Sequence, residues 1–173
     1  LDADSAQVLA DPKEFANKIK RGKQTQLTQD FMIIARLESL IANKGQEDAL
    51  ARAKTYIDAG VDGIMIHSKN TDGKEILEFI QEFKTRFPDA NIPLVSVPTT
   101  YNTLTEDDLK KAGFSIVIHA NHLMRASIKA MQNTCISILK NGRSLEASKD
   151  ISTVPEIFDL VGFSDIKTKE KIQ

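Results

Sequence analysis

The sequence has no tryptophan and a single cysteine, Cys135, among its 173 residues. One thiol excludes a disulfide framework within the chain, which suits a reducing compartment, and the location expected from this is the cytoplasm. Neither sign of charge dominates. The 23 Lys and Arg residues face 24 Asp and Glu, for a net charge of -1, so there is no electrostatic case for nucleic acid or for an anionic membrane. No apolar run approaches the roughly 20 residues of a spanning helix, and no signal peptide is recognisable ahead of the first helix. Low-complexity segments, a His-x-x-x-His pair, a Gly-rich phosphate loop and a nucleophile with an evident base are all missing.

What is present is an ordinary globular balance, 41% hydrophobic and 27% charged, with length enough for one domain and a sizeable core. Asp11-Pro12 predicts a capped helix start, with Phe15 and Ile19 on an apolar face to about Gly22. Phe31 to Ser39 runs through β-prone apolar residues into Arg36 and Glu38, as a strand buried in a parallel sheet does. A helix is expected from Glu47 to Ala59, closed by Gly60, and a second strand at Ile64–Ile66 ending in His67, Ser68 and Lys69. Gly73 to Phe87 reads as a helix stopped by Pro88. Ile92 to Val97 reads as a third strand, ending in Pro98, Thr99, Thr100 and Tyr101. Thr105 with Asp108 resembles a capping box, and the short helix it opens ends at Gly113. A fourth strand, Ser115 to Ile118, ends in His119, Asn121 and His122, and a long helix follows from about Leu123 to Leu139. Val154 to Phe158 predicts a Pro-started helix, with a charged, frayed end from Gly162 onward.

Helix, glycine, apolar strand and polar tip recur, which is the pattern of βα units in a parallel α/β sheet. Four such units are half of a (β/α)8 barrel of the TIM type. An open four-stranded sheet is the other arrangement, but it leaves its edges exposed. The expected architecture is therefore the C-terminal half of a barrel whose first half lies before Leu1, with residues 1–173 belonging to one barrel domain.

In that architecture the strand tips share one rim, the end where barrel chemistry sits. The rim would gather Arg36 and Glu38, His67 and Ser68, Thr99 and Tyr101, and His119, Asn121 and His122. Arg36 is a planar, permanently charged fork suited to carboxylate or phosphate, and equally suited to a structural ion pair. A histidine at a strand tip is more often hydrogen-bonded structure than a catalyst. Asn121 and His122 also suit capping of the following helix, and Thr99 and Thr100 also suit turn amides. The convergence is the stronger signal: a guanidinium beside an imidazole that is chargeable near neutral pH binds a small dianion or carboxylate. Glu38 is the one acid among the tips, and Asp62 precedes its strand at the opposite, stability face. No metal site is expected from this chain's own residues.

The blocks Ile34-Ala35-Arg36-Leu37-Glu38-Ser39, Ile66-His67-Ser68-Lys69, Val97-Pro98-Thr99-Thr100-Tyr101 and Ala120-Asn121-His122-Leu123-Met124-Arg125-Ala126-Ser127 stand in the order found in a known family. Over about Ala10 to Val161 the chain resembles the phosphoenolpyruvate mutases of the isocitrate lyase/phosphoenolpyruvate mutase superfamily. The resemblance implies a (β/α)8 barrel whose last helix, here about residues 154–173, is exchanged between the subunits of a homodimer or homotetramer. It also implies interconversion of phosphoenolpyruvate and phosphonopyruvate, the carbon–phosphorus bond-forming entry to phosphonate biosynthesis. Arg36 matches the family's arginine for the phosphoryl or carboxylate end of the substrate, and His67 its active-site histidine. Ser68 would join them on the substrate, with Glu38, Thr99 and Asn121 supporting from behind. The family needs magnesium, whose ligands, with the nucleophilic aspartate and the lid, are expected before Leu1, so no turnover is expected from residues 1–173 alone. A phosphonopyruvate hydrolase is the alternative enzyme, since it shares the Arg36 and His67-Ser68 blocks, although the Asn121 and Arg125 blocks look more mutase-like. Lyases of the superfamily fit less well around His67. A non-catalytic αβ binding module is the reading from another class.

Overall fold

In a computed structural model, which describes residues 8–170, the chain divides into two compact units, Leu1–Ala120 and Asn121–Gln173. The first unit alternates helices and strands: α1 (Pro12–Thr25), β1 (Ile34–Leu37), α2 (Gly45–Asp58), β2 (Gly63–Ile66), α3 (Lys74–Arg86), β3 (Leu94–Ser96), α4 (Glu106–Ala112) and β4 (Ile116–Val117). The strands form one four-stranded sheet in the order β1-β2-β3-β4, every neighbouring pair parallel. The sheet expected from the sequence is therefore present, in chain order.

Local signals account for most boundaries. The Asp11 carboxylate accepts from the Lys13 and Glu14 amides at 2.8 and 3.1 Å, and Pro12 takes the first helical position, where its missing N–H costs nothing. The helix does not stop at Gly22 as expected but runs on to Thr25. Gly22 serves close packing instead: a Cβ there would lie 2.9 Å from Ile33 Cδ1. The first strand likewise begins later than the apolar run. Phe31 and Met32 are exposed, and pairing starts at Ile34. Gly60, at φ +93°, terminates α2 in the left-handed conformation that glycine adopts without strain. Thr105 and Asp108 form the expected reciprocal cap on α4.

One face of the sheet packs on the helices. Ala35, Leu37, Ile64, Ile66 and Leu94 are buried there in one core with Leu50, Ala53, Ile76, Phe79, Phe83 and Leu109. At the amino-terminal end, Asp62 ties the layers together. Lys23 Nζ, from α1, donates to both of its oxygens at 2.7 and 2.8 Å, and the Ile33 N–H donates at 2.7 Å. This is the stability role expected of that rim.

The second unit holds α5 (His122–Asn141), a 3-10 helix (Leu145–Asp150), α6 (Val154–Leu160) and α7 (Phe163–Glu170). Gly142 ends α5 at φ +65°. A capping box of Thr153 and Glu156, unread in the sequence, starts α6 with Pro155 in its first turn. The charged stretch after Gly162, expected to fray, is helical as α7, and the Phe158 and Phe163 rings meet at 4.8 Å between centroids. None of the α5 residues is buried. Among the described residues, no helix is long and apolar enough to cross a membrane.

Partial burial works to raise the Asp62 carboxyl, but the Ile33 N–H and Lys23 outweigh it and hold the group below the usual carboxylate range. A carboxyl depressed in the folded state contributes stability that is present above its unfolded pKa of about 3.9 and is lost as pH falls through the folded value. Asp62→Asn is therefore expected to cost about 1.5–3 kcal/mol at neutral pH, the range for hydrogen bonds to a charged group. The gap from the parent should close in acid. Urea unfolding of both proteins across that pH range is the measurement.

Candidate functional site

Parallel register and two-residue alternation assemble the rim. Arg36 pairs in register with Met65, and Leu37 with Ile66. Leu37 and Ile66 turn into the core, so Arg36 and the residue two further on, Glu38, stand on the other face, as do Met65 and then His67. Arg36 Nε is ion-paired to Glu38 Oε1. Both earlier readings of Arg36 thus apply to one side chain: it has a structural partner, yet it remains 54% exposed and so keeps donors open to a ligand.

His67 is half-buried. Partial burial holds its imidazole below the ordinary histidine value, the Arg36 charge pushes the same way, and Glu38 opposes them. In the free protein both influences favour the neutral imidazole over the charged form. Its Nδ1 is buried and has no hydrogen-bond partner among the described residues. The Tyr101 ring stands beside it, 6.1 Å between centroids and tilted by 52°. Tyr101 is wholly buried, and its hydroxyl shares a 3.0 Å hydrogen bond with Ser96 Oγ. Burial pushes the Tyr101 phenol up, against the pull of Ser96.

The remaining candidates separate. Ser68 does not join Arg36 and His67 through its side chain. It is fully buried, donates to Glu75 Oε2 at 2.5 Å and accepts the Asn70 N–H at 3.0 Å. The alternation that turns His67 to one face turns Ser68 to the other. Thr99 is half-buried, with its N–H on the Val97 carbonyl at 2.8 Å. His119 is exposed and lies 2.9 Å from Glu106 Oε1. Asn121 and His122 belong to the second unit, where Asn121 occupies the N-cap of α5 without a capping bond from its side chain.

A cavity of about 290 Å³ opens beside Arg36 and Glu38, walled by Phe15, Arg52, Tyr56 and the segment 8–10. Arg52 was not singled out in the sequence. It donates through Nε to Asp48 at 2.8 Å and through one terminal nitrogen to the Ala10 carbonyl at 2.8 Å and the Tyr56 hydroxyl at 3.2 Å. Asp48 also accepts the hydroxyl of the buried Ser39, at 2.7 Å. The spacing of Asp48 and Arg52, one helical turn apart, was the available signal, though such pairs usually mark a solvated helix face. Among the described residues, no three His, Cys, Asp or Glu side chains group to hold a metal ion.

A rim with one half-open guanidinium and a neutral imidazole suits a small anionic substrate. The family model for phosphoenolpyruvate phosphomutase matches residues 2–139. The chain belongs to that family. It is 40% identical over 168 residues to a phosphoenolpyruvate phosphomutase of Tetrahymena pyriformis, covering 97% of this chain and 54% of that one. The crystal structure of a phosphoenolpyruvate phosphomutase from Streptomyces platensis subsp. rosaceus superposes with a TM-score of 0.90 at 37% identity, over 98% of this chain and 57% of that one. A phosphonopyruvate hydrolase solved in complex with oxalate and Mg++ superposes with a TM-score of 0.86 at 34% identity, over 99% and 59%. The chain thus spans a little over half the length of these relatives, and its parallel βα units are a section of the family's barrel.

Removing the Arg36 charge relieves one of the two influences that depress His67. In Arg36→Ala the His67 imidazole is expected to titrate at higher pH than in the parent. The His67 Cε1–H signal, followed by NMR across pH 5–8 around the ordinary histidine value of about 6.5, is the measurement. No upward movement would show that Arg36 does not act on the ring.

Proposed function

We propose that the protein is a phosphoenolpyruvate mutase, interconverting phosphoenolpyruvate and phosphonopyruvate. The observation that carries this reading is the placing of Arg36, still open to solvent, on the same sheet face and rim as a neutral, half-buried His67. In the reaction the oxygen–phosphorus bond of phosphoenolpyruvate breaks and a carbon–phosphorus bond forms. Negative charge moves between the enolate oxygen and the phosphoryl group without net proton change.

On this reading Arg36 takes the phosphoryl or carboxylate oxygens as a permanent cation, through the guanidinium nitrogens that Glu38 does not occupy. Glu38 holds the fork in place while leaving those donors free. A neutral His67 presents one N–H to an anionic oxygen and moves no proton in the empty site. Its half-burial excludes water on that side, which matters because water would capture the transferring phosphoryl group. We keep Thr99 and Asn121 as supporting residues of the site, and Ser68 as a substrate contact only through its main chain.

Magnesium, when bound, would neutralise charge on the transferring phosphoryl group and the pyruvate carboxylate. The described residues do not provide a ligand set that fits it. The oxalate and Mg++ carried by the hydrolase relative support a magnesium cofactor. We read residues 1–173 as the C-terminal half of one barrel domain, with about 154–173 exchanged between subunits of a homodimer or homotetramer in the cytoplasm.

The second reading is phosphonopyruvate hydrolase, favoured by the 34% identity and TM-score of 0.86 to that enzyme. Phosphorus NMR of the full-length protein incubated with phosphonopyruvate separates the two. Phosphoenolpyruvate is the expected product, and inorganic phosphate with pyruvate would reassign the activity. Arg36→Ala is expected to lower kcat/KM roughly 10- to 150-fold, the equivalent of about 1.5–3 kcal/mol for a charge-assisted contact. Unchanged kinetics in that variant would remove Arg36 from the site, and no turnover of phosphonopyruvate by the parent would support the non-catalytic module instead.

A further inference from the structure

A histidine in a reactive site is usually aimed by a hydrogen bond from its second ring nitrogen to a carboxylate or carbonyl. His67 lacks that device: its Nδ1 is buried without a partner among the described residues. Something else must fix where the ring points, because an imidazole free to rotate about two side-chain bonds loses its aim.

Two contacts supply the restraint. The Tyr101 ring stands beside the imidazole, 6.1 Å between centroids, and it is itself immobilised, being wholly buried with its hydroxyl on Ser96 of β3. The main chain is pinned through the next residue. Ser68 Oγ donates to Glu75 Oε2 at 2.5 Å and accepts from the Asn70 N–H at 3.0 Å, which closes the loop between β2 and α3. Glu75 lies in the first turn of α3, and its own carbonyl accepts from Gln46 Nε2 at 2.8 Å, which joins it to α2. The carboxylate that appears as a helix-start residue in sequence is therefore the anchor of the His67 loop.

We propose that Tyr101 and Glu75 are positioning residues for His67, Tyr101 by walling the imidazole and Glu75 by fixing, through Ser68, the main chain that carries it. Neither touches substrate in this scheme, which rests on His67 belonging to the site described above. The charged and titratable groups around the imidazole are Arg36 from β1, Glu38 just after it and Tyr101 from the loop after β3.

The test pairs a disruptive with a conservative change at each position in the intact protein. Glu75→Ala removes the acceptor for Ser68, while Glu75→Gln keeps an oxygen there. Tyr101→Leu removes the ring, while Tyr101→Phe keeps it. The disruptive variants are expected to lower kcat/KM for phosphonopyruvate by on the order of tenfold or more, mainly in kcat, as misaiming of a catalytic group does. The His67 NMR titration should also move up toward the ordinary histidine value as the ring gains solvent. The conservative variants should restore both. A residue that merely supports the fold would change the melting temperature and leave the His67 titration in place. Should Tyr101→Leu fail to fold, the half-buried Glu75 carries the comparison alone. A folded Glu75→Ala protein with the parent's His67 titration and kcat/KM within about twofold overturns the proposal. His67→Ala with parent activity would instead overturn the site reading, and the NMR titration would then still decide whether Glu75 and Tyr101 hold the ring.

Discussion

Side chains in a strand alternate between two faces, and in a parallel sheet that alternation is locked from strand to strand by register. Everything at the rim follows from this. With Arg36 level with Met65 and Leu37 level with Ile66, the core claims Ala35, Leu37, Ile64 and Ile66, and the charged groups have only the other face. A slip of one residue would bury a guanidinium among Leu50, Ala53 and Phe79. The cost of desolvating an unpaired charge there far exceeds the gain from any one apolar contact. The register that makes the core also makes the site.

The same rule divides the adjacent pair His67-Ser68. One residue faces the open side and stays half-covered, while the other is sealed against α3 with its hydroxyl satisfied. Stability contacts are thus interleaved along the backbone with the residues proposed for the site at the carboxyl ends of the strands. At the amino-terminal end Asp62 collects a lysine from α1 and a main-chain amide, and with Lys23 it lines a separate cavity beside Gln26 and Thr28. Barrel-type sheets commonly separate chemistry and stability between their two ends.

Strand identity, parallel order and the shared rim of Arg36 and His67 were legible because they depend on short-range patterns: apolar runs of four or so residues, glycines and prolines as stops, and polar residues at consistent tips. The beginning of β1 was misplaced because hydrophobicity does not reveal pairing. Phe31 and Met32 look like strand but meet no neighbouring strand. Gly22 was read as a stop when its role is to let Ile33 approach, a tertiary contact invisible to local rules. The tail after Gly162 was read from its charge, yet helix α7 forms there and Phe163 packs on Phe158. Arg52 and Glu75 went unnoticed for a common reason. Both lie on helices at positions that ordinarily face water, and only the fold shows that one meets the Ala10 carbonyl and the other a buried serine.

The grip of Arg52 on Ala10 differs in kind from the bonds that hold the sheet. A ladder of backbone bonds opens only in sequence, but a single side-chain fork lets go with one change of its own torsion angles. The wall that residues 8–10 provide beside Arg36 is therefore tied to α2 by a side chain and not by strand pairing.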